Sequence, residues 1–500
     1  MRWLGLAVAC AVLCGGPAGA QDRPIVSTAS GPLRGVVEGG AAVFKGIPFA
    51  APPAGALRWA PPAPPKSWTA PRDASDYGPI CTQPPRPDGV VAAGGGRPQS
   101  EDCLYLNIWA PKGAEAAPVM VWIHGGAHRF GSGEGAIYEG GAFARDGVVL
   151  VTINYRLGAL GYFAHPTIDK AAKPGDPIGN YGLMDQMAAL AWVKKNIAAF
   201  GGDAKNVTVF GESAGGSSIL ALLATPTAKG LFDKAIVESG GGWQKPAGLA
   251  AQERQGLETM KALGVPADAS PADLKAIPAA KLAAAPQAAG AGGVGPFPDG
   301  RLLKESPREA FASGRAIDVP LIIGSNSFEA SLMRNFPINA EAALQRMTPD
   351  QKAAYAAAGS GQATIEALYT DTVMGGPARW IAGKASSGAP SFLYHFSYVS
   401  QAQRGRVPGA SHGSEIIYVF GTAAKVLGRE PAAEDAAVST LMHSCWIGFA
   451  RTGRPVCQGG QAWPAYDPAK DQLMEFGVSF GVRTNLRKPQ LDADQKAAGL

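Results

Sequence analysis

A serine hydroxyl can do chemistry if its backbone lifts it clear of the surrounding chain. Residues 206–224 read NVTVFGESAGGSSILALLA, with Ser213 set between Gly211 and Gly215. The β-branched and aromatic run 207–210 predicts a short buried strand, and 217–223 predicts a helix packed on it. Ser213 then occupies the turn between them. Glycine neighbours permit a sharp, strained backbone there, and the helix start aims unpaired N–H groups and a positive dipole end at the reacting atoms. The same Gly-x-Ser-x-Gly spacing surrounds Ser411 and Ser479, in a chain with 66 glycines. Neither of those follows an apolar strand and opens a helix, so both read as loop serines.

Such a hydroxyl needs a base, and the base needs a carboxylate to orient it. On strand–turn–helix sites of this kind the chain order is Ser, acid, His. Of six histidines, only His395, His412 and His443 follow Ser213. His395 lies in the strand-like FLYHFSY and His443 in the helical STLMHSCWIGFA, whereas His412 sits in the Gly-flanked loop PGASHGSE, suited to reaching across to a nucleophile. The acid is expected just past a buried strand. Glu329, in VPLIIGSNSFEASL, stands there, while Asp299 reads as a turn residue and Asp318 precedes that strand. Acyl chemistry also needs donors for an oxyanion. The strand-like VMVWI runs into His124-Gly125-Gly126-Ala127, so the N–H groups of Gly126, Ala127 and Ala214 are expected to form a three-donor hole.

These residues must be positioned by regular elements. Strands are predicted at 104–109, 119–124, 148–154, 206–210, 234–238, 319–324 and 392–399. Between the third and fourth, Met187, Leu190, Val193 and Ile197 fall on one helical face, and Gly201-Gly202 ends that helix. The alternation predicts an α/β fold, with a mostly parallel sheet carrying helices on both faces. The Pro/Gly-rich stretch 84–100 and the Ala-rich stretch 249–295 break the rhythm and are expected to be insertions over one face.

With 500 residues, 46% hydrophobic and 17% charged, the chain can bury a large core and is too apolar for disorder. A net charge of +5 without a clustered Lys/Arg run disfavours nucleic acid and membrane surfaces as partners. Arg2, the apolar stretch 4–13 and Ala18-Gly19-Ala20 read as a signal peptide over residues 1–20 with cleavage before Gln21, which predicts a secreted or periplasmic protein. No later run approaches the ~18 apolar residues of a membrane span. Outside the signal remain Cys81, Cys103, Cys445 and Cys457. In an oxidising compartment the local pairs Cys81–Cys103 and Cys445–Cys457 are favoured among three connectivities, with buried thiols the alternative. Their spacing fits no zinc pattern. No metal or organic cofactor is implied, and nothing fixes the oligomeric state.

The ordered segments FKGIPFAAPP, LRWAPP, SEDCLYLNIW, WIHGGA, NYRLGALGYF, GNYGLMDQMAALAWVKKNIAAFGGD, VTVFGESAGG and HGSEIIYVFG resemble the type-B carboxylesterase/lipase family, the α/β-hydrolases that include the cholinesterases. The likeness spans nearly the whole mature length. It implies one α/β-hydrolase domain over residues 21–500 with cap insertions, hydrolysing small-molecule esters through an acyl-enzyme. It also implies that Ser213, Glu329 and His412 form the triad, with Gly126, Ala127 and Ala214 as the oxyanion hole. Cys81–Cys103 matches the family's disulfide, Arg58 with Glu101 and Arg156 with Asp185 its ion pairs, and Ser218 with Glu415 a polar network near the histidine. Catalytically silent adhesion members typically lack the serine or the histidine; this chain keeps both.

The chain makes three departures from the family pattern. Ala127 replaces a common glycine, Phe328 replaces an acidic residue before Glu329, and His128-Arg129 replaces an aromatic-led pair after the oxyanion loop. If either His128 or Arg129 faces the pocket, it could hold a substrate carboxylate through a charge-assisted hydrogen bond; the competing reading has Arg129 pointing outward or paired with an acid such as Glu134. A histidine base predicts kcat/KM rising through an apparent pKa of about 6 to 7.5.

Overall fold

The computed structural model describes residues 23–85, 97–285, 294–359, 361–428 and 430–500. The signal-peptide reading of residues 1–20, and most of the Pro/Gly-rich stretch, lie outside the described residues. Eleven strands make the main sheet: β1 (Val36–Glu38), β2 (Ala41–Pro48), β3 (Tyr105–Pro111), β4 (Ala117–Ile123), β5 (Val149–Ile153), β6 (Gly202–Glu212), β7 (Lys234–Glu238), β8 (Leu321–Asn326), β9 (Ser391–Phe396), β10 (Gln472–Phe476) and β11 (Gly481–Thr484). Across the sheet they run β11-β10-β9-β8-β7-β6-β4-β5-β3-β2-β1. Neighbours from β10 to β5 pair in parallel, and antiparallel strands finish both edges.

All seven strands expected from the sequence are present, with ends moved by a few residues. The central ones are buried on both faces, as parallel strands between two helical layers must be. Every residue of β5 is buried. Side chains alternate between two cores: Val119, Val121, Val207 and Val209 enter one, while Met120, Trp122 and Phe210 enter the other. Helices α1 (Tyr181–Asn196), α2 (Ala214–Leu223) and α3 (Gly376–Ala385) supply the first core through Leu190, Val193, Ile219, Leu222 and Ile381. Helix α4 (Ala433–Thr452) supplies the second through Trp446 and Phe449. On the predicted face of α1, Leu190 and Val193 are fully buried and Ile197 follows the helix end, whereas Met187 is only half-buried. The Ala-rich stretch forms helices Leu249–Ala262, Pro271–Ala276 and Ala279–Ala284, which enter the first core through Met260, Leu274 and Leu282.

The order β7-β6-β4-β5 places a change of winding direction between β4 and β6, which pair as Val207 with Val119 and Gly211 with Ile123. At such a switch point the loops leaving two adjacent strands diverge to opposite sides and open a crevice at their C-terminal ends. The glycine loop after β4 and Ser213 after β6 therefore meet at one edge. Glu329 follows β8 and His412 follows β9 at that same edge.

Both expected local disulfides, Cys81–Cys103 and Cys445–Cys457, are formed. Thiol titration of denatured, unreduced mature protein should find all four sulfurs blocked. Loss of the 22-residue Cys81–Cys103 closure should cost roughly 3 kcal/mol, largely by freeing the unfolded chain. Four accessible thiols would refute the pairing.

Candidate active site

Ser213 sits directly between β6 and α2 with φ 56° and ψ −121°, a conformation outside the usual regions for a residue with a side chain. Strain of this kind costs about 1–3 kcal/mol and persists only where the surroundings over-determine it. Here they do. Ser213 N–H donates to Glu238 O at 2.8 Å, and Ser213 O accepts from Ser217 N–H at 2.8 Å. A Cβ on Gly215 would lie 1.9 Å from Ile123 O, and one on Gly211 2.5 Å from the same oxygen. The glycines thus let α2 start hard against the end of β4. The helix begins at Ala214, three residues earlier than the sequence pattern suggested.

The loop after β4 is a tight turn in which Gly126 O accepts from Arg129 N–H at 3.0 Å and Phe130 N–H at 2.9 Å. Ala127 and His128 both take positive φ, 56° and 55°. The N–H groups of Gly126, Ala127 and Ala214 have no acceptor among the described residues, so three donors are left for a ligand. Two contacts fix the loop from behind: Tyr155 Oη donates to His124 O at 2.8 Å, and Gly158 N–H donates to His128 O at 2.7 Å.

Glu329 is fully buried. Its Oε1 accepts from Ser239 Oγ at 2.5 Å and from Asn326 N–H at 2.7 Å, while Oε2 faces His412 Nδ1 at 2.5 Å. The histidine loop is zipped to the acid loop: His412 N–H donates to Ser331 Oγ at 2.9 Å, Phe328 N–H to Ala410 O at 2.9 Å and Asn326 Nδ2 to Ser411 O at 2.8 Å. Phe328 therefore serves here through its backbone. The other ring nitrogen, Nε2, lies 3.0 Å from Glu212 Oε1. No hydrogen bond joins it to the Ser213 hydroxyl among the described residues; such contacts commonly tighten only once substrate is bound.

Glu212, Glu238, Glu329 and Glu415 are all buried, with Glu212 at one nitrogen of the His412 ring and Glu329 at the other. Burial pushes the Glu238 carboxyl up to about 8, opposed by the Trp446 Nε1–H donated to it and reinforced by Glu212. Burial, with the neighbouring carboxylates, also holds Glu415 well above the usual range, and its Oε2 accepts from Asn326 Nδ2. For His412 burial disfavours the charged ring, but Glu212 and then Glu329 outweigh it and raise the pKa well above 6.5.

Sequence reasoning missed two of these groups. Ser239, the hydroxyl on Glu329, stands 90 residues away in the chain and no local pattern marks it. Glu212 was read only as part of a glycine motif. Ser218 makes no hydrogen bond to His412 among the described residues: its hydroxyl is 3.0 Å from His128 Nε2 and accepts from Gln186 Nε2 at 3.0 Å.

The expectation that His128 holds a substrate carboxylate is corrected by the same contacts. The ring is buried, its Nδ1–H donates to Val294 O at 3.1 Å, and Nε2 is left to accept the Ser218 hydroxyl proton. Burial lowers its pKa to about 4, so it is neutral and offers no charge. Its role is to tie the glycine loop to α2 and to the segment at Val294. Arg129 is different. Its Cζ lies 5.7 Å from the Phe130 ring centre, and its Nε is buried with no acceptor. Glu134 is not its partner, because that carboxylate faces Arg97 at 3.4 Å.

Comparison with known proteins places this geometry. The carboxylesterase family model matches residues 22–360 and 339–493. The chain is 37% identical to a fumonisin B1 esterase of Sphingopyxis macrogoltabida, covering 93% of this chain and 89% of that protein. It is 38% identical to the para-nitrobenzyl esterase of Bacillus subtilis (strain 168), covering 89% and 93% respectively. A solved PNB esterase superposes with TM-score 0.82 at 34% identity, over 94% of this chain and all of that one. A matched family model over nearly the whole chain, close esterase relatives and a shared sheet topology lead to one conclusion: this chain belongs to the type-B carboxylesterase family and is a carboxylic-ester hydrolase with the α/β-hydrolase fold.

Proposed function

We propose that the enzyme is a serine esterase that works through an acyl-enzyme on Ser213, within one hydrolase domain that follows a cleaved signal and acts outside the cytoplasm. Ser213 Oγ attacks the ester carbonyl while His412 Nε2 takes its proton. The carbonyl oxygen becomes an oxyanion held by the N–H groups of Gly126, Ala127 and Ala214. Glu329 keeps the Nδ1 proton in place and stabilises the imidazolium. Collapse of the intermediate breaks the C–O bond, and His412 returns the proton to the departing alcohol. Water then repeats the sequence on the acyl-serine, releasing the acid.

The observation that supports this reading is the 2.5 Å contact of His412 Nδ1 with Glu329, which leaves Nε2 for the serine, together with the strained backbone of Ser213. A fluorophosphonate should label the protein stoichiometrically at Ser213, located by peptide mass analysis. Absence of labelling in folded protein that cleaves esters would remove Ser213 as nucleophile.

The flanking carboxylates give a pH prediction. His412 must be neutral to accept a proton, so kcat/KM rises as pH rises through its pKa. Glu212 and Glu329 hold that pKa above 6.5, which moves the limb to higher pH than an unperturbed histidine would give. Glu212→Gln removes one of the two charges and should shift the limb towards acid. Superimposable limbs for wild type and variant would show that Glu212 does not act on the ring.

A further inference from the structure

We propose that Arg129 is a specificity residue that receives a free carboxylate on the substrate, so that the preferred esters are half-esters of dicarboxylic or polycarboxylic acids. The inference rests on the serine-esterase reading and names the substrate class for that site. Arg129 is two peptide units from Ala127, which puts their Cα atoms within about 7.6 Å of each other. The Arg129 N–H is also bonded to Gly126 O at 3.0 Å, so this side chain leaves the turn that presents the oxyanion donors.

That turn is rigid. His128 anchors it through Val294 O and Ser218 Oγ, and Gly158 anchors His128 O, so the guanidinium starts from a fixed base. Its charge is unspent. Among the described residues Arg129 has no ion pair, and its Nε is shielded from solvent without an acceptor. A buried guanidinium N–H left unpaired costs free energy that a planar, bidentate anion would recover. The obvious internal partner, Glu134, is engaged by Arg97. Phe130 lies beneath the guanidinium and leaves its edge as the hydrogen-bonding side.

Electrostatics give the arginine a task. Glu212 and Glu329 flank the two nitrogens of the His412 ring, and carboxylates there would repel an anionic substrate. A cation beside the oxyanion loop supplies the attraction such a substrate needs. It also fixes which end of the molecule carries the scissile ester, because the free carboxylate is held on the loop side. The neighbouring ring of His128 cannot share this role, since both its nitrogens are already bonded.

The test compares an alkyl half-ester of a dicarboxylic acid with its isostere, in which a carboxamide replaces the free carboxylate. Wild type should favour the half-ester in kcat/KM by at least about tenfold, the order expected of a charge-assisted, bidentate pair. Arg129→Gln should bring the ratio close to one, and Arg129→Lys should keep part of it. The monoamide of the same dicarboxylic acid, which keeps the free carboxylate, should inhibit wild type competitively and the diamide should not, a comparison that needs no variant and so survives poor folding of one. Equal kcat/KM for the two esters in wild type, or the same ratio in wild type and Arg129→Gln, would overturn the assignment while leaving the esterase reading intact. No turnover of either ester together with no fluorophosphonate labelling would overturn both.

Discussion

Ser213→Ala should lower kcat/KM for esters by at least about a thousandfold, or roughly 4 kcal/mol of transition-state stabilisation, while the protein stays folded. The loss is large because the hydroxyl forms the covalent bond, and no neighbouring hydroxyl can replace it: Ser217 and Ser218 lie in the helix, and Ser218 is committed to His128 and Gln186. Folding should survive because the structural work at position 213 is done by its backbone, through Glu238 O and Ser217 N–H. Alanine already occupies a positive φ of 56° at position 127, so the strained turn does not demand serine. Ser479→Ala is the matched control, since among the described residues that hydroxyl only accepts from Arg483 Nη2, at 2.8 Å. A Ser213→Ala protein with wild-type circular dichroism and more than a few per cent of wild-type kcat/KM would end the acyl-enzyme proposal.

Arg156→Met should cost about 3–5 kcal/mol of stability, because it strands Asp185 as an uncompensated buried charge. Asp185 is fully buried, and Arg156 is 3% exposed. The pair is bidentate, with Nε and Nη2 donating at 2.8 and 2.7 Å, and Arg156 N–H adds a third bond to Asp185 Oδ2 at 3.0 Å. It joins the loop after β5 to α1. That same loop carries Tyr155, which holds His124 O, and Gly158, which holds His128 O, so loosening it should also disorder the oxyanion donors. The measurement is the urea midpoint at matched slope, together with kcat on a neutral ester below the unfolding transition. Arg156→Met/Asp185→Leu should recover much of the stability, because a hydrophobic pair avoids the desolvation penalty that the lone carboxylate suffers. A single variant within about 1 kcal/mol of wild type would show that water or another cation reaches Asp185.

What could be read from the sequence follows from the range of the signals. Strand β5 and its neighbours announce themselves because burial on both faces imposes a mostly apolar run, a property of five to seven adjacent residues. The Ser213 turn is equally local, since the strand, the glycines and the helix lie within residues 206–224. His412 and Glu329 emerged by elimination, because chain order and loop context left few competitors. The edge strands β1, β2, β10 and β11 were not foreseen. β1 is three residues long with two exposed, and β11 carries only one fully buried residue, so neither shows an apolar alternation long enough to register.

The sequence alone determined the α/β alternation, the nucleophile turn and the order of the site residues, because each is written in contiguous side chains whose preferences act over one strand or one helical turn. Only the tertiary structure decided which groups those residues meet. It put Ser239 on Glu329, Glu212 against His412, and Ser218 on His128. It also gave Glu134 to Arg97 and left Arg129 unpaired among the described residues. These are contacts between residues up to 200 positions apart, and a polar side chain carries no periodicity that names its partner. Which carboxylate is satisfied, and which guanidinium keeps its charge for a substrate, is fixed by how the sheet edge and its loops pack together.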